Sequence, residues 1–413
     1  MERRPLRCGI LAVGDFPEGG AGSQRLYLLA QILRKGLGDA SLWILNPTIR
    51  SPIPENRSVA GEWGGIPFIY LSGTTVRPAG MLPAILDTLR GIYRSTRIIA
   101  RRGPERPDFL VVYTPTFLKF LIPVMVAKVM RIPIIVEVCE VFSTSTDIAG
   151  SGFLRRVGNS GQSLIERLTP LIASGLLVIS RHIRQYYEQL GLPDNKSYLL
   201  PVLIDVERYE KGGNTAVANL AGVRFFLNSG SFNEKDGLAH LVQAMARIHQ
   251  EHPDVRLVFT GNAPESTRKR LLDSSGSGGK NWILFTGLLT RDELIWCYKN
   301  AAGLLCCRSN SDYANYGFPT KLAEYLASGR PVVATSVGDV KDYLTDESTA
   351  FLAEPENTES IAMAIRRLLR DPAHATDVGI RGIDVARQHF DYRNHIAGVS
   401  TFIRRSMGLT GMS

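Results

Sequence analysis

Cysteine is scarce in this chain, and long apolar runs are missing. Among 413 residues there are five cysteines, Cys8, Cys139, Cys297, Cys306 and Cys307. An odd handful inside apolar runs excludes a disulfide scaffold. Adjacent Cys306 and Cys307 point to opposite faces of a strand and pair poorly, so a reduced, cytoplasmic protein is expected. No stretch reaches the ~18 consecutive apolar residues of a membrane span. The best candidate, Phe117 to Val138, is broken by Lys119, Pro123, Lys128, Arg131, Pro133 and Glu137. The apolar run Cys8–Val13 behind Arg3, Arg4 and Arg7 stops at Asp15, too short for a secretory signal, and reads as a first buried strand. No Asp-Xaa-Asp triplet occurs, and His249 and His252 share a helix end without further ligands, so no metal is expected. The 39 Gly and 22 Pro carry no period, which excludes collagen, and 44% apolar with 21% charged residues excludes global disorder.

Positive charge, by contrast, is abundant and unevenly placed. Residues 1–204 hold 24 Lys and Arg against 15 Asp and Glu, whereas residues 205–413 hold 24 of each. The first half is therefore expected to meet something anionic.

Short Val/Ile/Leu runs alternate with helical stretches along the whole chain. In the first half, Cys8–Val13, Ala40–Leu45, Phe68–Leu71, Phe109–Tyr113, Ile132–Val138 and Gly175–Ile179 read as strands. In the second, Val223–Leu227, Val255–Thr260, Trp282–Phe285, Gly303–Cys306 and Pro331–Ala334 do. The alternation predicts α/β architecture with two doubly wound, Rossmann-like parallel sheets, residues 1–204 and 205–391, facing across a cleft. Pro201, Gly212, Gly213 and Asn214 break the rhythm at the boundary. A helix in 392–413 is expected to pack back on the first domain.

Three loops can hold an anion. Gly19-Gly20-Ala21-Gly22-Ser23 stands between the first strand and first helix, where glycines admit close backbone approach, although it matches neither G-x-G-x-x-G nor a P-loop. The loop Asn228 to Gly237 follows the first strand of the second half and offers Ser231 and Lys235, whose charge suits a phosphate. In the run Tyr316-Gly317-Phe318-Pro319-Thr320-Lys321-Leu322-Ala323-Glu324, Pro319 opens a short helix. The N–H groups near Thr320, Lys321 and Leu322 then form an anion site. Glu324, one turn on, suits two hydroxyl hydrogen bonds from a ribose. A helix capped by a Lys–Glu pair has the same appearance.

That run, followed by Gly329-Arg330-Pro331-Val332-Val333-Ala334, resembles the core of the family 4 (group 1) retaining glycosyltransferases of the GT-B fold. Pro201-Val202-Leu203-Ile204-Asp205 with Tyr209, Phe259-Thr260-Gly261-Asn262, Phe285-Thr286-Gly287 and Gly338-Asp339 are similar in order. The resemblance implies a nucleotide-diphosphate sugar donor as co-substrate, no cofactor, no metal and transfer with retention to a lipid-linked or glycan acceptor. It implies a donor site of Gly19, Gly20, Ser231, Lys235, Gly261, Asn262, Tyr316, Gly317, Phe318, Thr320, Lys321, Leu322 and Glu324, with Lys235 on the diphosphate and Glu324 on the ribose. Three departures stand out. Tyr316 replaces the family's paired Glu eight residues before Glu324, with Asp312 or Asn315 as substitutes for its contact. Ser231 replaces a basic residue. Cys139-Glu140 replaces a His-Asp pair, leaving Glu140 as the candidate acceptor-side base.

One helix stands apart. In Leu82–Arg102, Arg90, Arg94, Arg97 and Arg101 share one face among Leu86, Leu89 and Tyr93. Either it is a core-packed helix with a solvated basic face or it lies on an anionic membrane. A cytoplasmic enzyme peripheral to the inner membrane face is expected, working in polysaccharide, glycolipid or envelope glycan synthesis, with no nucleic acid partner. A non-catalytic nucleotide-sugar-binding protein and a nucleotide-sugar epimerase are the competing readings.

Overall fold

The computed structural model describes residues 5–409 except 102, 104, 105, 115, 116, 145–151, 231 and 277. The chain divides into two compact units, Met1–Leu203 with Tyr392–Ser413, and Ile204–Asp391.

The first unit is built on an eight-stranded sheet. Its strands are β1 (Leu6–Ala12), β2 (Gly38–Ile44), β3 (Ala60–Trp63), β4 (Ile66–Tyr70), β5 (Phe109–Tyr113), β6 (Ile134–Val138), β7 (Gly175–Val178) and β8 (Ser197–Leu199), in the order β3-β4-β2-β1-β5-β6-β7-β8. Central strands such as Phe-Leu-Val-Val-Tyr and Gly-Leu-Leu-Val are buried on both faces, which explains their unbroken apolar runs. The alternation predicts a wholly parallel sheet, and the structure corrects this at one edge, where β3 pairs antiparallel with β4. Trp63 and Ile66 are joined by Gly64 and Gly65, both at positive φ (54° and 79°), a two-residue hairpin turn that suits glycine. The helix Ala21–Leu37 packs against the helix Ile396–Ser406, and Leu29, Leu33, Val399, Phe402 and Ile403 share one buried core.

The second unit holds β9 (Arg224–Ser229), β10 (Val255–Thr260), β11 (Ile283–Gly287), β12 (Gly303–Cys306), β13 (Val332–Thr335) and β14 (Phe351–Ala353), all parallel, in the order β11-β10-β9-β12-β13-β14. Strand order reverses direction at β1/β5 in the first unit and at β9/β12 in the second. The carboxyl ends of such strand pairs are where open α/β sheets bind ligands.

Candidate functional site

At the carboxyl ends of β9, β10 and β11 the chain turns on Gly230, Gly261 and Gly287, all at positive φ (108°, 114° and 75°). The turns are stitched together: Gly230 N–H donates to the Thr260 carbonyl at 3.2 Å, and Gly261 N–H to the Gly287 carbonyl at 2.8 Å. A Cβ on Gly261 would stand 2.6 Å from the Gly230 carbonyl oxygen, so both geometry and space require glycine there. Asn262 follows, exposed. Ser231 lies outside the described residues. Lys235 sits in a single 3-10 turn, Glu234–Asp236. Its carbonyl accepts the Ser309 N–H at 3.0 Å, and its ammonium lies 4.3 Å from the centre of the Tyr313 ring.

The helix Thr320–Ala327 opens at Pro319. The expected trio of N–H groups is reduced, because Leu322 N–H donates to the Pro319 carbonyl at 3.0 Å, closing a tight first turn. Phe318 is likewise not a ligand-facing residue. Its ring is buried, 5.4 Å from the rings of both Tyr343 and Phe390, where the apolar core holds it. Gly317 accepts from the buried Arg308 guanidinium at 3.1 Å, and Tyr316 is half-buried. Asn315 does not stand free as a sugar contact: its Oδ1 accepts the Gly338 N–H at 3.0 Å and its Nδ2 donates to Asn310 at 3.2 Å. Asp312 is exposed. Lys321 pairs with Asp236 at 3.1 Å, so the helix is not capped by a Lys321–Glu324 pair.

Glu324 is held by tyrosines. Tyr209 donates to its Oε1 at 2.9 Å and Tyr298 to its Oε2 at 3.1 Å, while the two rings stack at 6.4 Å. The Tyr298 hydroxyl also meets Ser229 Oγ at 3.0 Å, and Tyr325 O–H accepts the Ser229 N–H at 2.7 Å, tying the carboxylate to the end of β9. Burial comes first among the causes that push the Tyr298 and Tyr325 phenols above their ordinary range, with the Glu324 charge adding to it. Each carboxylate oxygen has two acceptor positions, so the phenols orient Glu324 and leave capacity for two more donors. Tyr298 and Tyr325 carry no motif signal; an aromatic beside a polar strand end is their only trace in the sequence.

In the first unit, Gly19 and Gly20 stand where β1 hands over to the helix Ala21–Leu37. Gly20 is its N-cap and is exposed, whereas a Cβ on Gly19 would collide with Ser23. Sequence reasoning missed the buried pair beside them. Arg25 donates to Glu137 Oε1 at 2.7 Å and to the carbonyls of Pro201 and Leu200 at 2.7 and 2.9 Å. Burial pushes the Glu137 carboxyl up, opposed by Arg25. Glu137 Oε2 has no hydrogen-bond partner among the described residues. Glu140, the candidate base, is half-buried after β6, and Cys139 is pushed up to about 12 by burial.

The helix Met81–Ala100 and the following Arg101 expose Arg90, Arg94, Arg97 and Arg101. It is not simply core-packed. Ile92 and Ile99 are buried, but Met81 (81%), Leu82, Ile85, Leu86, Leu89 and Tyr93 are exposed. The helix packs on Phe117–Val129, which packs on Gly152–Ile172, and these add exposed Ile122, Met125, Val129, Leu164 and Leu171. No helix among the described residues is long and apolar enough to cross a membrane. No group of three or more His, Cys, Asp or Glu residues suited to a metal ion occurs among them.

Residues 217–385 match the family of glycosyl transferases group 1. The chain is 29% identical over 149 residues to an uncharacterized glycosyltransferase of Methanocaldococcus jannaschii, a stretch that covers 36% of each protein. It spans between about a third and two thirds of the length of the first curated relatives it matches. Sucrose-phosphate synthase from Thermosynechococcus elongatus shares its fold with a TM-score of 0.73 at 17% identity, covering 98% of this chain and all of that one. Anabaena HepE in complex with UDP-glucose does so with a TM-score of 0.70 at 16% identity, covering 96% of this chain and 99% of that one. These likenesses, with two doubly wound sheets, define the GT-B fold. The family match falls within the second unit and includes its glycine turns and Glu324.

Proposed function

We propose that the protein transfers a sugar from a nucleotide-diphosphate sugar to an acceptor hydroxyl with retention of configuration. The observation that carries this reading is Glu324, oriented by Tyr209 and Tyr298 beside the glycine turns of β9 and β10 at the point where strand order reverses. A carboxylate for ribose hydroxyls stands next to backbone turns open to a diphosphate. The UDP-glucose held by a protein of the same fold supports the donor class.

Chemically, the bond between the anomeric carbon and the diphosphate oxygen breaks and leaves its electron pair on that oxygen. The acceptor oxygen bonds the anomeric carbon from the same face, and its proton passes to the departing phosphate. Positive charge aimed at the leaving oxygen is the main protein contribution.

The acceptor is lipid-linked or glycan in this reading, and the first unit attaches peripherally to an anionic membrane. The exposed apolar strip beside exposed arginines on the helix Met81–Ala100 supports attachment.

Thermal unfolding with UDP-glucose, GDP-mannose and ADP-glucose tests the donor class, since a ligand that binds only the folded state raises Tm. Incubation of the stabilising donor with membrane extract, with NMR of the product's anomeric proton, then tests transfer and retention. No stabilisation by any nucleotide sugar overturns the reading. Donor turnover that needs no acceptor points instead to hydrolysis or epimerisation.

A further inference from the structure

We propose that the ammonium of Lys321, rather than that of Lys235, meets the donor diphosphate in this chain. The assignment rests on the nucleotide-sugar reading above and deepens it.

The glycine turn after β9 singles out one lysine. Around the point where a Cβ of Gly230 would stand, the atoms within 4 Å are Cε and Nζ of Lys321, at 3.7 and 3.8 Å. The Lys321 side chain is only 13% exposed and its ammonium is pinned to Asp236 Oδ1 at 3.1 Å, with Asp236 itself 5% exposed. Asp236 Oδ2 in turn accepts the Asn233 N–H at 3.2 Å, so the carboxylate is anchored in the same loop. An ammonium has three donors, and engagement with one carboxylate oxygen leaves donors for phosphate. Lys235 is aimed elsewhere, over the Tyr313 ring at 4.3 Å.

A second buried cation reinforces the position. Arg308, 5% exposed at the end of β12, donates to Gly317 at 3.1 Å. Burial raises the neighbouring Cys306 thiol to about 11, and the charges of Lys321 and Arg308 both oppose that rise. Two cations and one carboxylate thus converge on the switch point of the second sheet. Position 231, where the family resemblance implies a basic residue, is serine. Lys321 supplies from the neighbouring helix the charge that position 231 lacks. During transfer, the electron pair released to the diphosphate oxygen would develop against this ammonium, a charge-assisted contact of the strong kind.

The test is calorimetric titration of the full chain with UDP, GDP and ADP and with the matching nucleosides. For whichever diphosphate binds, Lys321→Gln is expected to weaken it about 10- to 100-fold, the effect of removing one hydrogen-bonded charge, and to leave the nucleoside unchanged. Lys235→Gln is expected to cost less than Lys321→Gln. If Lys321→Gln unfolds because the buried Asp236 carboxylate loses its counter-charge, the double variant Asp236→Asn, Lys321→Gln removes both charges and is expected to fold while keeping the about 10- to 100-fold loss for the diphosphate and none for the nucleoside. Undiminished diphosphate binding by the folded variant, an equal loss for nucleoside and diphosphate, or a larger loss in Lys235→Gln overturns the assignment alone. Wild-type protein that binds none of the three diphosphates overturns the donor reading with it.

Discussion

Tyr209 donates its phenolic O–H to Oε1 of Glu324 at 2.9 Å across 115 positions of sequence. Tyr209 and Tyr298 are both buried, so Glu324 is an acceptor on which two buried phenols depend. Removing it is therefore a change to the fold as well as to a ligand contact.

Glu324→Ala is accordingly expected to lower stability by about 2–4 kcal/mol, because two buried donors lose their acceptor. Glu324→Gln keeps the shape and one acceptor oxygen and is expected to lose less. Urea unfolding of the two variants checks the order. In the folded Gln variant the preference for a ribonucleoside diphosphate over its 2′-deoxy analogue is expected to narrow; an unchanged preference removes Glu324 from the ribose.

The basic, apolar surface of the first unit makes a prediction about vesicles. Each arginine near an anionic surface contributes about 1 kcal/mol, screened over ~8–10 Å. Changing Arg90, Arg94, Arg97 and Arg101 to Gln is expected to abolish binding to anionic vesicles at low salt. Changing Leu86 and Leu89 to Ser is expected to remove the part of the binding that survives high salt. Nucleotide-sugar binding stays intact in both. Equal sedimentation with neutral and anionic vesicles speaks against attachment through this face.

Arg25 and Glu137 lie 2.7 Å apart with side chains 7% and 0% exposed. Arg25→Met leaves a carboxyl in a dry site together with two carbonyls that have lost their donor. A loss of about 3–5 kcal/mol is expected, partly recovered in the double variant with Glu137→Leu, as for other buried pairs. Chemical denaturation in a double-mutant cycle measures the coupling, and independent, additive losses contradict it.

Thiol reactivity gives a further check. Burial pushes Cys306 up to about 11 and Cys139 and Cys297 up to about 12, and it also raises Cys8 and Cys307. A raised thiol pKa means less thiolate at a given pH, so at pH 8 the buried Cys8, Cys297, Cys306 and Cys307 are expected to react slowly with Ellman's reagent in the native protein and promptly in denaturant, with half-buried Cys139 reacting ahead of them. More than one fast-reacting thiol in the native state contradicts the burial.

The sequence made the central strands plain because strands buried on both faces carry apolar residues without interruption, as in β5, β7 and β12. Strand β3 was illegible for the opposite reason: Ala-Gly-Glu-Trp is exposed throughout and has no run to read. In the site, Gly261 and Glu324 stand out by motif, whereas Phe318, a member of the same motif, packs inward against Tyr343 and Phe390. Lys321 was legible as a helix residue and not as a partner of Asp236, because a pattern of neighbours says nothing about a contact 85 residues away. Arg25 and Glu137, 112 residues apart, were hidden in the same way.

The helix Ile396–Ser406 completes the core of the first unit, although the second unit is one uninterrupted stretch, Ile204–Asp391. During synthesis the ribosome releases everything the second unit requires before it releases Val399, Phe402 and Ile403. The helix Ile396–Ser406 cannot dock before then, so the side of the helix Ala21–Leu37 that it covers is the last part of that core to close.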